Sequence, residues 1–395
     1  MIKAYNEQWI YNREILAQAE RWYRQQLLSE SQMEAVRNTY PVEFRQTNGF
    51  LEIGLFLFTT VAILACYLLP ASMFSIFSMS TTYAIFNIIS GIGIGVVGQL
   101  LINKKLLYRN GIDNAFVVTT TGFLAFGFNQ LLPNGLSTAE HCFLTLPLLL
   151  LVLGYYGDTL LALFTLGTLY TGIFDGLLTY SWGKDALPFI MMGVSILIYL
   201  TVRQVNIRNP REVYYTDPLN LAQWVSLIVL AASGNYFVVR ELNGLLLRAS
   251  PVSLHQSEAP QISLAWLFWI LTFLIPGIYL WQGLRRRNRM LLILGVLGII
   301  AAVITLHDYT ALVPLNVALT IGGFLLIGIA VGCIRYISTP KYGFTDAPDD
   351  DSPDEFFLNA ATASAVQAAG AAHQPKSDLR FGGGNFGGGG SEGNY

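Results

Sequence analysis

Charged residues are scarce in this chain of 395 residues: Asp, Glu, Lys and Arg make up 12% of it, against about a quarter in a soluble domain. Hydrophobic residues make up 53%. This balance predicts a membrane protein whose main partner is the lipid bilayer. The formal net charge of −2 gives no overall basicity, so nucleic acid is not an expected partner.

Patterns that bind metals or form redox sites are missing as well. The three cysteines, Cys66, Cys142 and Cys333, lie inside apolar runs without a C-x-x-C spacing, and we expect them to act as small hydrophobic residues. No H-x-x-x-H or H-E-x-x-H spacing occurs in the sequence. We therefore expect no resident metal or cofactor.

A glycine-rich pattern, G-x-G-x-x-G at 93–98, lies in the middle of an apolar run and does not follow a strand. This context argues against a dinucleotide site. The spacing of Gly91 and Gly95 instead predicts a face of small residues on which a second helix packs closely.

The first fifty residues contain no apolar stretch typical of a secretory signal peptide, so Leu51–Pro70 is expected to serve as an uncleaved insertion signal. Residues 1–46 predict a cytoplasmic helical hairpin. Helical spacing covers Glu7–Leu28, and a Ser-x-x-Gln capping box at Ser29–Gln32 predicts the start of a second helix. The aromatic side chains of the first helix either pack within the hairpin, lie on the bilayer surface or bind a partner.

Between Leu51 and Tyr336 the chain is a succession of apolar runs, each long enough to cross a hydrocarbon core of about 30 Å. The fold class we predict is an all-α polytopic membrane protein with about ten transmembrane helices. For the stretch 142–178 an alternative is one span plus a re-entrant piece. The ten predicted spans are 51–70, 82–102, 113–132, 142–156, 158–178, 187–203, 220–239, 262–282, 290–306 and 312–335.

One short loop predicts the orientation of all the others. It contains Arg285, Arg286, Arg287 and Arg289, and loops this basic are favoured on the cytoplasmic side. With this loop inside, the inner connections carry ten basic residues and the outer connections carry three. The charge asymmetry predicts that both termini are cytoplasmic. The four arginines would also attract anionic lipid headgroups.

From about residue 345 the composition changes. An acidic stretch at 346–355 is followed by an Ala-rich stretch at 359–372 and a Gly-rich end at 381–395. Such segments bury too little apolar surface to offset the entropy of ordering, so 345–395 is predicted to be a disordered cytoplasmic tail.

Ionisable residues are absent from the middles of the predicted spans, which argues against a buried proton relay. They gather at the outer ends instead. If the fourth, fifth and ninth spans are neighbours, His141, Asp175, His307 and Asp308 converge in one outward-facing pocket suited to a divalent metal or to acid/base catalysis. The alternative is that these residues simply lie at the membrane interface, where charges are common.

The N-terminal third resembles a known family. Trp22 and the turn Leu27-Leu-Ser-Glu-Ser-Gln32, followed closely by the first span, are similar to the DUF2157-like bacterial membrane proteins. The resemblance implies a multipass protein of the bacterial inner membrane, and this family offers no assigned catalytic residues to carry over.

Three functional hypotheses remain open at this stage. The first is a non-enzymatic scaffold, sensor or accessory subunit that offers its hairpin and tail to cytoplasmic proteins. The second is a secondary transporter of a small or amphipathic solute, which requires a cavity that reaches the middle of the membrane. The third is an enzyme that acts on lipid or envelope intermediates at the outer face.

Overall fold

The computed structural model describes residues 3–44, 49–74, 80–208, 213–248, 264–286 and 288–310, with single positions between 317 and 335. Residues 1–47 and 51–351 form one compact unit. Of the second unit, formed by 48–50 and 352–395, the structure describes only Gly49 and Phe50. Every regular element within the described ranges is helical, which confirms the predicted all-α fold.

A short hairpin opens the chain, with helices α1 (Glu7–Arg24) and α2 (Glu30–Thr39). The Asn6 side chain caps α1 by accepting hydrogen bonds from two backbone N–H groups. Ser29 and Gln32 form the capping box of α2, each side chain bonding the backbone of the other, as the Ser-x-x-Gln spacing predicts. The predicted tail at 345–395 lies outside the described residues.

Within the described ranges ten further helices follow the hairpin, and a 3₁₀ turn (Val213–Tyr215) precedes the seventh of them. These helices are α3 (Gly49–Met73), α4 (Ser80–Lys105), α5 (Ile112–Leu131), α6 (Thr138–Tyr156), α7 (Thr159–Leu178), α8 (Gly183–Arg208), α9 (Thr216–Gly234), α10 (Tyr236–Arg248), α11 (Ala265–Arg286) and α12 (Arg289–Thr310).

Seven of these helices are long and apolar enough to cross a membrane: α3, α4, α6, α7, α8, α11 and α12. The region of α9 and α10 makes an eighth if the bent pair forms one span, since the two are joined at an angle of 76°. Helix α5 is not among the seven, and it carries three successive threonines together with Asn114 and Asn129. The chain is therefore a multipass membrane protein.

Eight of the ten predicted spans each coincide with one helix. The stretch around Tyr155 and Asp158 separates two helices of full length, α6 and α7, so the alternative of one span plus a re-entrant piece does not hold. The seventh span, 220–239, divides between α9 and α10. The tenth, 312–335, lies outside the described residues except for single positions.

Glycines bring α4 and α5 close together. A Cβ atom on Gly91 would lie 2.9 Å from Leu124 Cγ, and one on Gly95 would lie 3.1 Å from Thr120 Cγ2. Both glycines thus lie at the α4–α5 contact, where larger side chains would force the helices apart. Helices α6 and α7, α8 and α9, and α11 and α12 form the other closely packed sequential pairs.

Contacts between connections define two ends of the helix bundle. At one end the N-terminal segment contacts the α4–α5 connection through Tyr5 and Asp113, and the α6–α7 connection through Ala4 and Tyr155. The α8–α9 connection joins them, because the Tyr214 hydroxyl donates to the Tyr155 backbone oxygen. We call this the hairpin end, and the end with the α5–α6 and α7–α8 connections the opposite end.

The arginine loop belongs to the hairpin end. Helix α11 runs antiparallel to α9, since the Tyr279 hydroxyl donates to the Leu227 oxygen and, nearer the start of α11, Thr272 accepts from the Tyr236 N–H. The C-terminus of α11, at Arg285, is thereby directed towards the start of α9. The connections that the sequence assigns to one side of the membrane therefore share one end of the bundle.

Candidate functional site

Asp113 organises the α4–α5 connection. Its side chain is 1% exposed, and its carboxylate accepts hydrogen bonds from the backbone N–H groups of Arg109 at 2.8 Å and Asn110 at 2.9 Å. The first turn of a helix favours a negative charge because the helix dipole is positive there. Gly111 precedes it with φ +86°, and a Cβ at that position would overlap the Glu52 backbone oxygen. Only glycine fits this turn.

The N-terminal segment is attached to the same turn. Tyr5 is buried, and its hydroxyl donates to Asp113 Oδ2 at 3.1 Å. The Ala4 N–H donates to the Tyr155 oxygen at 3.0 Å, and Gln99 Nε2 donates to the Ala4 oxygen at 3.0 Å. Burial raises the pKa of Tyr5, and the Asp113 charge raises it further, so the hydroxyl remains a protonated donor.

Two copies of one short pattern, Tyr-Tyr-x-Asp, meet at this end. One copy, 155–158, runs from the last two residues of α6 to the N-cap of α7, and the other, 214–217, runs from the 3₁₀ turn into the first turn of α9. The Tyr214 hydroxyl donates to the Tyr155 oxygen at 2.6 Å, and the Tyr215 hydroxyl donates to the Gly154 oxygen. Tyrosines of one copy therefore satisfy carbonyl groups that the end of α6 leaves without helical partners.

The aspartate of each copy lies at a helix N-terminus. Asp158 caps α7 by accepting from the Leu161 N–H at 2.9 Å. Asp217 lies in the first turn of α9 and forms an ion pair with Arg109 of the α4–α5 connection. These two carboxylates thus link helix starts to neighbouring connections.

A polar cavity of about 470 Å³ lies among these groups; we call it the hairpin-end cavity. Its charged lining consists of two arginines and three carboxylates: Arg13, Arg109, Glu52, Asp158 and Asp217. Tyr5, Tyr108, Tyr156 and Tyr214 supply aromatic walls. A cavity of this size falls within the range of small-molecule sites, about 300–1,000 Å³, and its mixed charges suit a small polar solute that carries both signs of charge.

Burial in this cavity disfavours the charged form of Asp158. Burial raises the pKa of Asp158, and the Asp113 charge raises it further, while the hydrogen bond from the Leu161 N–H opposes both effects. The guanidinium of Arg13 stacks over the Tyr108 ring at 5.2 Å from its centroid. A ligand that brings positive charge near Asp158 would relieve the cost of burying this carboxylate.

The sequence-predicted residues His141 and Asp175 lie at the opposite end. His141 Nδ1 is 3.0 Å from Asn129 Oδ1, and the Asn129 amide donates to Thr145 Oγ1 at 2.8 Å. Asp175 Oδ2 accepts from the Ala139 N–H at 2.8 Å in the first turn of α6. Both side chains thus take part in contacts that hold helix ends.

The other two predicted residues, His307 and Asp308, lie on α12. This helix packs against α11 and α9, whereas α6 packs against α7 and α5. The four residues therefore fall into two groups in different parts of the fold, and the expected arrangement of the fourth, fifth and ninth spans as neighbours is not found. Within the described residues, no group of three or more His, Cys, Asp or Glu side chains could hold a metal ion.

Sequence reasoning missed the hairpin-end cavity, although a signal for it was present. The signal is the repeated Tyr-Tyr-x-Asp pattern at 155–158 and 214–217, which is neither a metal-ligand spacing nor a charge at an outer end. Tyr108 in the α4–α5 connection and Asp113 in the first turn of α5 supply the same two residue types, tyrosine and aspartate. Connections of the same parity meet at one end of a bundle, so repeated polar patterns in them indicate a shared site.

Comparisons with protein-family models, with curated proteins and with solved structures give no match to this chain.

Proposed function

We propose that this multipass membrane protein is a non-enzymatic sensor or accessory subunit. In this proposal the hairpin-end cavity binds a small polar solute, and the N-terminal hairpin transmits its occupancy to other proteins. The observation that carries the proposal is that the hairpin itself forms part of the cavity wall. Tyr5 and Arg13 line it together with residues of three interhelical connections, Arg109, Asp158 and Asp217.

The other side of the hairpin is available for a partner. Trp22 is 45% exposed and Leu27 is 68% exposed, while Ile10 on the same hairpin is buried against the bundle. A buried face that senses the cavity and an exposed aromatic face that contacts proteins would allow one element to couple the two. The separation of the predicted acid/base residues into two groups supports a role other than catalysis.

Orientation forms part of the proposal. The hairpin end carries the arginine loop and the other basic connections, so the positive-inside rule favours its placement in the cytoplasm. The resemblance of the N-terminal third to DUF2157-like proteins supports a bacterial inner membrane. A cysteine introduced at the exposed Leu27 tests this orientation. Its labelling by an impermeant thiol reagent is compared between inverted and right-side-out vesicles.

The sensor role is tested by release of the hairpin in the full-length protein. Tyr5→Phe removes the bond to Asp113, and amide hydrogen exchange in residues 4–12 is expected to become faster. Tyr11→Phe is the matched control, because Tyr11 is 45% exposed. Capture of cytoplasmic partners by the intact chain and by a chain without residues 1–46 completes the test. An unchanged set of partners would contradict the proposal.

A second candidate is secondary transport, and one observation favours it. A second cavity of about 470 Å³ lies between α5, α6 and α7 and reaches Thr121 and Thr168, near the middle of α5 and α7. Val117, Leu149 and Leu161 are buried in one cluster together with residues of the hairpin-end wall. Transport would require this buried cluster of side chains to open.

Thiol labelling tests the transport hypothesis. In a background without native cysteines, Thr121→Cys is probed with an impermeant reagent added from the hairpin side. Labelling of this cysteine that appears only when Leu161→Ala is added would favour a continuous path. Leu163→Ala, on the exposed face of α7, is the control and should not produce labelling. Absence of labelling in both variants would exclude it.

A further inference from the structure

The cavity between α5, α6 and α7, which we call the lateral cavity, has a clear shape. Gly95 and its neighbours hold α5 on α4, and Gly172 holds α7 on α6, with a Cβ there only 3.0 Å from Cys142 Cβ. The two helix pairs meet at the buried cluster around Leu149 and Leu161, and again at the Asn129 side chain. Between these contacts the pairs stand apart.

The lateral cavity opens on the side of the bundle. Phe126 of α5 and Phe164 of α7 both line it, and they are 46% and 53% exposed. Helices α6 and α7 are both long and apolar enough to cross a membrane, and with both inserted this side would face the hydrocarbon region of a bilayer. A molecule can therefore enter from the membrane without crossing water.

The length of the cavity matches one leaflet. It extends along α5 from Asn129 to Val118, eleven residues apart. At a rise of 1.5 Å per residue this distance is about 16 Å. Half of a hydrocarbon core of about 30 Å is about 15 Å. An acyl chain of one leaflet would lie along the cavity with its polar end near Asn129.

The walls suit an acyl chain despite their threonines. The Thr121 hydroxyl donates to the Val117 oxygen at 2.7 Å, and the Thr168 hydroxyl donates to the Phe164 oxygen at 2.9 Å. Because these hydroxyls bond to the backbone of their own helices, the threonines present mainly their methyl groups to the cavity. Gly122 adds open space, since a Cβ there would meet no atom within 4 Å.

Polar groups at the opposite end define the headgroup. The Asn129 amide donates to the Ala125 oxygen and to Thr145 Oγ1, both at 2.8 Å, so its Oδ1 faces His141 Nδ1 as an acceptor. In the neutral imidazole, this bonding network assigns the proton to His141 Nδ1. The other ring nitrogen, Nε2, is left as an acceptor for a ligand that donates a hydrogen bond.

We propose that the lateral cavity binds a membrane lipid whose acyl chain lies between α5, α6 and α7 and whose headgroup donates a hydrogen bond to His141 Nε2. The proposed chemical class is a lipid with an ammonium or hydroxyl group at the headgroup, drawn from the leaflet at the opposite end. This site is separate from the hairpin-end cavity and does not depend on the proposed sensor function.

The test uses the full-length protein in nanodiscs of phosphatidylcholine that contain a small fraction of phosphatidylethanolamine, with co-purified lipid measured by mass spectrometry. The ammonium group of phosphatidylethanolamine has N–H donors, whereas the choline headgroup has none. We expect enrichment of phosphatidylethanolamine on the order of tenfold, the size expected for one hydrogen bond that involves a charged group. Equal retention of the two lipids would overturn the headgroup assignment.

Variants that fill the cavity distinguish an acyl chain bound inside it from annular lipid around the protein. Gly122→Leu is expected to remove the retained lipid, while Gly193→Leu should not, because Gly193 on α8 also has open space but lies outside the cavity. Thr168→Leu fills the same space from α7 and serves as a second variant if Gly122→Leu fails to fold. Retention unchanged in a folded filling variant would overturn the proposal.

The headgroup contact has its own variant. His141→Phe keeps the apolar bulk but removes the acceptor, so total lipid retention should persist while the preference for phosphatidylethanolamine is lost. Persistence of the preference in this variant would overturn the role of His141. Loss of both retention and preference, with the fold intact, would place the histidine in the chain-binding wall instead and would also contradict the assignment.

Discussion

Two cavities of equal volume, each about 470 Å³, lie at the two ends of the same three helices, α5 to α7, and their chemistry is opposite. The hairpin-end cavity is lined by arginines, carboxylates and tyrosines from connections and from the N-terminal segment. The lateral cavity is lined by side chains of the helices themselves, and its threonines bond to their own backbone.

The comparison shows where polarity can be placed in a membrane protein. Connections at a bundle end can carry charge because water and other connections are near, whereas polar groups in helix bodies must find partners in their own helix or in a neighbouring one. The hairpin-end cavity thus depends on contacts between distant parts of the chain. The lateral cavity depends on spacing between helices that are already formed.

The largest expected effect is on the backbone of the hairpin end. Gly111→Ala should destabilise the protein severely, because φ +86° is unfavourable for alanine by about 1–2 kcal/mol and its Cβ would also overlap the Glu52 backbone. Thermal unfolding in detergent measures the change. Gly135→Ala in the α5–α6 connection is the control, since a Cβ there would meet no atom within 4 Å. Equal stability of both variants would contradict the close approach of α3.

A second prediction compares two aspartates at opposite ends. Asp113→Ala removes a buried acceptor of three hydrogen bonds and should cost about 3 kcal/mol. Asp175→Ala removes one bond to the start of α6 and should cost about 1 kcal/mol. Thermal unfolding of the two variants under the same conditions measures the difference. A larger loss of stability with Asp175→Ala would contradict the prediction that the contacts of Asp113 stabilise the fold more than those of Asp175.

The pH dependence of stability should reflect Asp158. Its pKa is raised in the folded state, so the folded state holds the proton more tightly than the unfolded state does. Stability from this group is therefore greatest below the ordinary carboxyl pKa of about 3.9 and is lost as pH rises through the raised value. Asp158→Asn keeps a capping side chain and should flatten this part of the profile. Melting temperatures of both proteins, measured from pH 4 to pH 7, test this prediction. Parallel profiles would contradict the role of Asp158.

The smallest effect is expected inside the lateral cavity. Thr121→Val should change stability by less than about 0.5 kcal/mol, because the hydroxyl bonds only to its own helix and the methyl group that faces the cavity is retained. Lipid retention should also be unchanged. A clear loss of retained lipid in this variant would show that the threonine hydroxyl contacts the ligand.

Much of the architecture was predictable from hydropathy. Eight of ten predicted spans each coincide with one helix because the length and apolar character of a membrane helix are local properties of sequence. The split of 220–239 into α9 and α10 was missed, since Asn235 interrupts an otherwise apolar run and its side chain bonds Thr305 on a distant helix. Such a partner is invisible to a window along the chain.

The candidate sites were predictable only in part. His141 was identified as a polar residue at a span end, but its bond to Asn129 depends on the packing of α6 against α5. Its proposed convergence with His307 failed because the order of helices in the bundle does not follow from their order in sequence. Tyr5 appeared to belong to a peripheral hairpin, whereas its hydroxyl reaches Asp113, 108 positions away.

The sequence by itself determined that this protein is helical, that it crosses the membrane several times and which connections share a side, because hydrophobic length, capping and basic charge act locally or through parity. Only the tertiary structure decided which helices are neighbours, that the N-terminal segment lines a charged cavity, and that α5, α6 and α7 leave a second cavity between them. Those features arise from contacts between residues far apart in the chain, and no local pattern encodes the geometry of such contacts.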